Sequence, residues 1–546
     1  MDDREVELQS RTREAIERIL DLNMTEADLQ QISPQDQHLV WKVLILDDTS
    51  NLCIAPLIHL GNLRLHNITL CLRLNEPRKQ LQSVTAVYLI EPTVANIGQF
   101  IKDCKMKLYD FFQINFLYPP KPVIMQSLAS GLVAENSISR LLKVYEQYLK
   151  YILLEESLFM LNSHSFESLQ QPGISDYEIE SMLEDVALGL FSVLKTCRIW
   201  PIIRAGRGFS EIVANKLAEL CWEHPDDVSH LSRPLLLIVD RSIDFSVMFH
   251  HPWTYQALAF DVFKNSLNKI VIPGNPPTLY ELDKSRDSLW KEQSSNKFGD
   301  VLQTVDKAFK EWKDQYDQIG NNIAEAFDNV PEMAEKKSQL DLHMNLATAL
   351  VDQVQSRHLD QFNQFEEKLM SGKSANLQEI LNMQPAPTVE AEVWENDKLR
   401  IQIIAFLNKL VEEIPDSSLQ AYLSSLRGEV EQQSTLQYLS GFAEKVKGKL
   451  MGHEKMLPMT KLVHSVMENK AKEKDLEYYD SIHRNGLKYK REYTEAIVFV
   501  VGAGNYAEYH NLLHYAQKFE KTIVYGSTDL PTPNQFLEQL QRLSQL

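Results

Sequence analysis

The chain has 546 residues, 44% hydrophobic and 24% charged, an ordinary balance for a globular protein with several cores. A formal net charge of −19 excludes a general nucleic-acid binder and favours basic or mixed-charge protein partners. Five scattered cysteines without a C-x-x-C pair suit a reduced, cytosolic protein, and no signal-type segment, prenylation box or membrane-length apolar run is found, so membrane association is expected only through partners.

Residues 1–31 read as one or two polar helices, with Ile16, Ile19 and Leu20 on one face. Strand-like runs follow at Trp41–Asp47, Ile68–Leu72, Val84–Ile90 and Ile114–Tyr118, with helical segments between several of them. This alternation predicts a parallel sheet with crossover helices, and none of these strand ends opens into a Gly-rich loop. After Pro119, Pro120 and Pro122, two helical runs are predicted, Met125–Glu135 and Ile138–Leu149. Met125, Leu128, Ala129 and Leu132 share one face, and Leu141, Val144, Tyr145 and Tyr148 another; by periodicity both are core.

A second α/β unit starts near Glu155, with a helix over Tyr177–Lys195 and a buried strand at Pro234–Val239. Arg204, Gly206 and Gly208 precede a helix, but their spacing fits no phosphate loop and reads as a turn. The Pro234 strand delivers Asp240 and Arg241, then Asp244, His250 and His251. Asp240, Asp244 and the two histidines suggest a metal or acid–base site. Adjacent histidines point different ways, however, and no second cluster completes a ligand set. The favoured reading is structural: Arg241, Asp240 and Asp244 tie the strand end to its neighbours by charge-assisted hydrogen bonds.

Ile272–Thr278, IPGNPPT, marks a break, and strand signals nearly vanish beyond it, which predicts a helical domain over about 271–490. Leu302, Val305, Phe309, Trp312, Tyr316, Ile319 and Ile323 form a heptad seam, Asn329 and Pro331 punctuate it, and the pattern resumes from Leu340 to Val354. This is a helical hairpin with its turn at Asp328–Met333. Its second helix also carries Leu342, Leu346 and Leu350, so it is either sandwiched in a core or presents a face to another helix. Gln384–Thr388 is a loop, and Lys445–Arg491 holds twelve Lys/Arg against six Asp/Glu.

The α/β pattern returns with strands at Ala496–Gly502 and Thr522–Ser527 and a helix at Tyr506–Phe519 between them. Two strands cannot close a domain, so they are expected to rejoin the middle sheet, leaving the helical domain inserted in it. Gly502-Ala-Gly504-Asn-Tyr-Ala507 matches the dinucleotide fingerprint. Only 42 residues follow Gly504 and the next strand lacks an acidic residue for the ribose, so the glycines read as a tight turn. No catalytic constellation and no cofactor are expected.

The segment Asp240–Phe263, DRSIDFSVMFHHPWTYQALAFDVF, resembles the DR-x-x-D…H-x-W-TYQAL segment of the Sec/Munc (SM) family of SNARE-binding vesicle-fusion regulators. WKVLILD, KVYEQYLKYILLEESLFML, KKSQLDLHMNLATALVDQV and FVVGAGNYAEYHNLLHYAQKF occur in the same order, and EKKSQLDLHMNLATAL with VYGSTD is closest to the Sly-type branch of ER–Golgi traffic. The resemblance implies a non-enzymatic protein with a three-domain arch: 1–154, α/β; 155–270 with 491–546, α/β; and 271–490, helical, with a hairpin at about 301–370. It implies a syntaxin-type SNARE as partner, its N-terminal peptide held in an apolar groove at Met125, Leu128, Ala129, Leu141 and Val144. It further implies that the hairpin templates the SNARE bundle through Leu342, Leu346, Leu350 and Gln353, with tethering complexes as further partners. The alternatives are the endolysosomal branch of the family, a scaffold acting through the hairpin, and a nucleotide-dependent enzyme using Gly502–Ala507.

Overall fold

In the computed structural model, the described residues are 7–24, 41–225, 233–319, 323–432, 456–471, 476–484 and 491–546, except 82, 164, 275, 372 and 374. The first sheet is parallel and five-stranded, ordered β2-β1-β3-β4-β5 from β1 (Lys42–Leu46), β2 (Ile68–Arg73), β3 (Thr85–Ile90), β4 (Phe111–Phe116) and β5 (Leu141–Glu146). β1 and β3 are buried along their whole length because helices cover both faces, which explains their unbroken aliphatic runs. Helices Val94–Met106 and Pro122–Ala134 pack on one face over Val43, Ile45, Tyr88 and Ile114. The other face shares a continuous core with the middle unit, into which the Leu8–Leu20 helix sets Leu8, Ile16, Ile19 and Leu20.

β5 replaces the second of the two predicted helices. Asn136 takes φ +50° after the Pro122–Ala134 helix, Ile138–Arg140 forms a 3-10 turn, and Leu141–Glu146 pairs in parallel with β4. The apolar spacing in this short run fits either structure. Val144 and Tyr145 favour extended backbone, and an open sheet edge was available to pair.

The chain continues through β6 (Ile152–Glu155), β7 (Leu158–Met160), β8 (Ile202–Ala205) and β9 (Leu235–Asp240). β10 (Lys264–Ser266), β11 (Lys269–Ile272) and β12 (Thr278–Glu281) form a small antiparallel sheet, and β13 (Glu477–Asp480), β14 (Glu495–Val501) and β15 (Thr522–Ser527) follow the helical region. The middle sheet is ordered β13-β8-β9-β14-β15-β7-β6. β14 lies between β9 and β15, so the C-terminal strands rejoin the sheet as the pattern required. The return begins before residue 491: β13 pairs antiparallel with β8, and the Pro458–Met467 helix shares a core with the sheet and the Tyr506–Phe519 helix. IPGNPPT is the connection of the β11–β12 hairpin, so strand pairing crosses the predicted break.

The helical unit contains Phe298–Ile319, Ile323–Arg357, Leu359–Met370, Ala391–Leu407 and Ser417–Gln432. The first two form the predicted hairpin, but its turn is not at Asp328–Met333; the second helix runs through Asn329 and Pro331, and the connection, 320–322, lies outside the described residues. An interior proline costs a helix roughly 3 kcal/mol. That loss is small against the packing of a 35-residue helix on its neighbour. Residues 445–455, 472–475 and 485–490 of the basic stretch lie outside the described residues.

Candidate functional site

The strand-end cluster is hydrogen-bonded to the elements around it. β9 ends at Asp240, whose carboxylate accepts from the Phe209 N–H at 3.1 Å and the Ser210 N–H at 2.7 Å, capping the Phe209–Glu223 helix. Gly208 takes φ +100° beside it, and a β-carbon there would meet Asp240 Oδ2 at 2.5 Å. The turn around Gly206 and Gly208 is therefore occupied by the protein's own carboxylate. Burial pushes Asp240 up to about 7, against the two helix N–H groups that favour its charge.

Arg241 is buried and bidentate to Glu508, at 2.7 and 2.8 Å, and also donates to the carbonyls of Ala503 (3.1 Å) and Asp244 (2.7 Å). Asp244 accepts from the Ser246 N–H and hydroxyl, closing the turn. The histidines diverge as neighbours must. His251 Nδ1 meets Glu366 at 2.7 Å, while the His250 carbonyl accepts from Arg400 at 2.7 Å. Arg400 also holds Asp261, and Arg357 holds Asp397, so this buried network fastens the helical unit to the segment after β9. Among the described residues no group of three or more His, Cys, Asp or Glu side chains could hold a metal ion.

The same contacts fill the glycine fingerprint. Gly502 takes φ +114° at the end of β14, and a β-carbon on Gly504 would meet the Tyr525 hydroxyl at 2.7 Å and Ser527 Oγ at 2.8 Å. The helix that follows is capped by Asn505, and Glu508 in its first turn receives Arg241 and the Tyr525 hydroxyl. The place a pyrophosphate would take at that helix N-terminus holds a buried carboxylate of the chain itself. Glu508 was not singled out from sequence; its position in the first turn after the glycines was the available signal.

The first sheet presents an apolar strip. On the Pro122–Ala134 helix Met125 is 38% exposed and Val133 63%, and Ala129 is exposed between them. Spacings of four residues align these three on the outward face. Leu128 faces inward and is buried in the core with Ile124 and Leu132, while Leu141 and Val144 on β5 are half-buried against the same core. Among the described residues β5 is the terminal strand of its sheet, and its outer edge has no strand neighbour. Of the five predicted groove residues, Met125 and Ala129 are accessible, Leu141 and Val144 partly so, and Leu128 belongs to the core. Val133, missed by the sequence reading, completes the stripe.

On the hairpin, Trp312 Nε1 donates to the Met333 carbonyl at 3.2 Å, joining the two helices, and stacks on Tyr316 of its own helix. Leu346 and Leu350 are fully buried, packed with Tyr255, Trp290 and Phe362, and Leu342 and Gln353 are half-buried. The second helix is thus the sandwiched one of the two possibilities its sequence allowed. Leu346 and Leu350 are not available to a partner, and its outer face is polar: Asp341, Asn345, Thr348 and Asp352.

The chain matches the Sec1 family over residues 42–539. It is 29% identical to the Sec1 family domain-containing protein 1 of Rattus norvegicus, covering 97% of each chain. It is 30% identical to Protein SLY1 of Saccharomyces cerevisiae, covering 93% of this chain and 91% of that one. Among solved structures it is similar to Sly1p in complex with an N-terminal peptide of Sed5p, with a TM-score of 0.82 at 28% identity over 99% of both chains. Two α/β units, the first with a parallel sheet and the second with a mixed one that is parallel through β8, β9, β14, β15 and β7, and a helical unit inserted in the second make up the fold that this chain shares with that structure. The chain belongs to the Sec1 family, and within it to the Sly type.

Proposed function

We propose that this protein binds a syntaxin-type SNARE by its N-terminal peptide and promotes assembly of the four-helix SNARE bundle in ER–Golgi membrane fusion. The observation that carries this reading is the exposed strip of Met125, Ala129 and Val133 beside the open edge of β5, in a chain so similar to Sly1p bound to a Sed5p peptide. An aromatic or aliphatic side chain of a peptide laid there would bury apolar surface worth roughly 2 kcal/mol. Leu128, Leu141 and Val144 supply the floor beneath the strip rather than its outer wall.

In this reading residues 1–154 hold the peptide and the hairpin of 271–490 receives SNARE helices. SNARE motifs are costly to order alone, and a preformed helix face removes part of that cost. Leu342 and Gln353 remain candidate contacts, while Leu346 and Leu350 hold the helix in place. No helix among the described residues is long and apolar enough to cross a membrane. Association with ER and Golgi membranes would run through the SNARE, with tethering complexes as further partners and no catalytic step. Calorimetric titration with N-terminal peptides of syntaxin-type SNAREs tests the proposal: one peptide binds saturably and Met125→Asp weakens it by about tenfold or more. Binding of no peptide by the folded protein would overturn it.

A further inference from the structure

A cavity of about 210 Å³ opens beside the carboxyl ends of β9 and β14, the end of an open α/β sheet at which ligands are commonly held. It is larger than the about 150 Å³ that accommodates benzene, and smaller than the sites of drug-sized molecules. Phe166, Phe209, Phe245 and Leu426 contribute apolar walls, and Asp240 and Arg241 line it at the strand end.

The two charges on this wall differ. Arg241 is matched by Glu508 at 2.7 and 2.8 Å; its two Nη atoms are spent on that pair and two carbonyls, and its buried Nε–H has no partner among the described residues. Asp240 is held by the Phe209 and Ser210 N–H groups and the Ser210 hydroxyl; among the described residues no basic side chain pairs with it. It keeps part of its surface accessible where it borders the cavity. A carboxylate removed from bulk water without a counter-charge is costly, and it is held up to about 7 for that reason. Aromatic walls attract a cation placed against them. Carboxylate and phenylalanines therefore select the same kind of guest.

We propose that this cavity binds a small organic cation, an ammonium group on an apolar body, with Asp240 as counter-ion and Phe166, Phe209 and Phe245 as walls. The site is separate from the strip on the first sheet and from the hairpin, so it does not depend on SNARE binding.

The test is titration of the full chain, at fixed ionic strength, with benzylammonium chloride and with benzyl alcohol, which has a similar shape and no charge. Benzylammonium should bind saturably and about tenfold or more tighter than the alcohol. Asp240→Asn should bring the two affinities to within about twofold, and Leu426→Trp, which fills the cavity, should weaken both. Equal affinities in the unaltered chain, saturation by neither probe, or a preference retained in Asp240→Asn would overturn the proposal. The comparison in the unaltered chain decides alone if Asp240→Asn does not fold.

Discussion

Arg241→Met removes four hydrogen bonds from the junction of β9, β14 and the Tyr506–Phe519 helix. Glu508 is left fully buried with the Tyr525 hydroxyl as its remaining side-chain donor, at 2.7 Å, and the carbonyls of Ala503 and Asp244 lose a donor. Breaking a buried, hydrogen-bonded ion pair from one side costs about 3–5 kcal/mol. At 1.4 kcal/mol per decade this is roughly a hundredfold to several-thousandfold loss of protection from amide exchange in β9 and β14. Exchange read by mass spectrometry on peptides covering Leu235–Asp240 and Glu495–Val501 is the suitable assay, because a chain with several units has no single unfolding equilibrium. Adding Glu508→Leu removes the stranded charge and should restore most of the protection, less about 1–3 kcal/mol for the Tyr525 O–H donor, whose oxygen still accepts from the Asn505 N–H. An increase in exchange below about tenfold for Arg241→Met, or a double variant less protected than the single one, would refute the reasoning.

Further outcomes are expected in peptide binding, sheet packing and pH dependence. Met125→Asp and Val133→Asp should weaken SNARE-peptide binding by about tenfold or more with little change in melting temperature, whereas Leu128→Ala, in the core, should cost about 2–5 kcal/mol in stability; calorimetry and thermal denaturation separate the two. Gly526→Ala should destabilise the middle sheet, since its β-carbon would clash with the Phe159 ring, and a labelled dinucleotide should give the unaltered chain no thermal stabilisation. Asp240 is raised by burial to about 7 from an unfolded value of about 3.9, so the folded state binds the extra proton between them and stability falls as pH rises through that window. Asp240→Asn should flatten this slope in denaturation measured from pH 4 to 8. Asp480 works oppositely: burial opposes its charge, but Arg233 and two backbone N–H groups lower it to about 2, so its contribution is lost as pH falls from about 4 toward 2.

Much of this protein was legible in one dimension. The aliphatic runs at Lys42–Leu46, Thr85–Ile90, Leu235–Asp240 and Glu495–Val501 are buried on both faces, and a strand in that position has little choice but to be apolar throughout. The insertion of the helical unit followed from counting, since two C-terminal strands cannot make a sheet of their own. That Asp240, Arg241 and Asp244 sit in a charged turn at the end of a buried strand was legible from the apolar run that precedes them.

Tertiary structure decided what local patterns leave degenerate. Leu141–Glu146 carries a spacing compatible with helix or strand, and the open edge of β4 chose. A helix periodicity assigns residues to a stripe but not to an environment. Leu128 and Met125 differ by three positions, yet one lies in the core and the other faces solvent, because the sheet lies under one side of the helix. Leu346 and Leu350 had the pattern of a docking face and are buried, since partners as distant in sequence as Tyr255 and Phe362 close over them. Glu508 and Arg241 are 267 residues apart; no local signal pairs them, and only the meeting of β9 and β14 brings the guanidinium to the carboxylate.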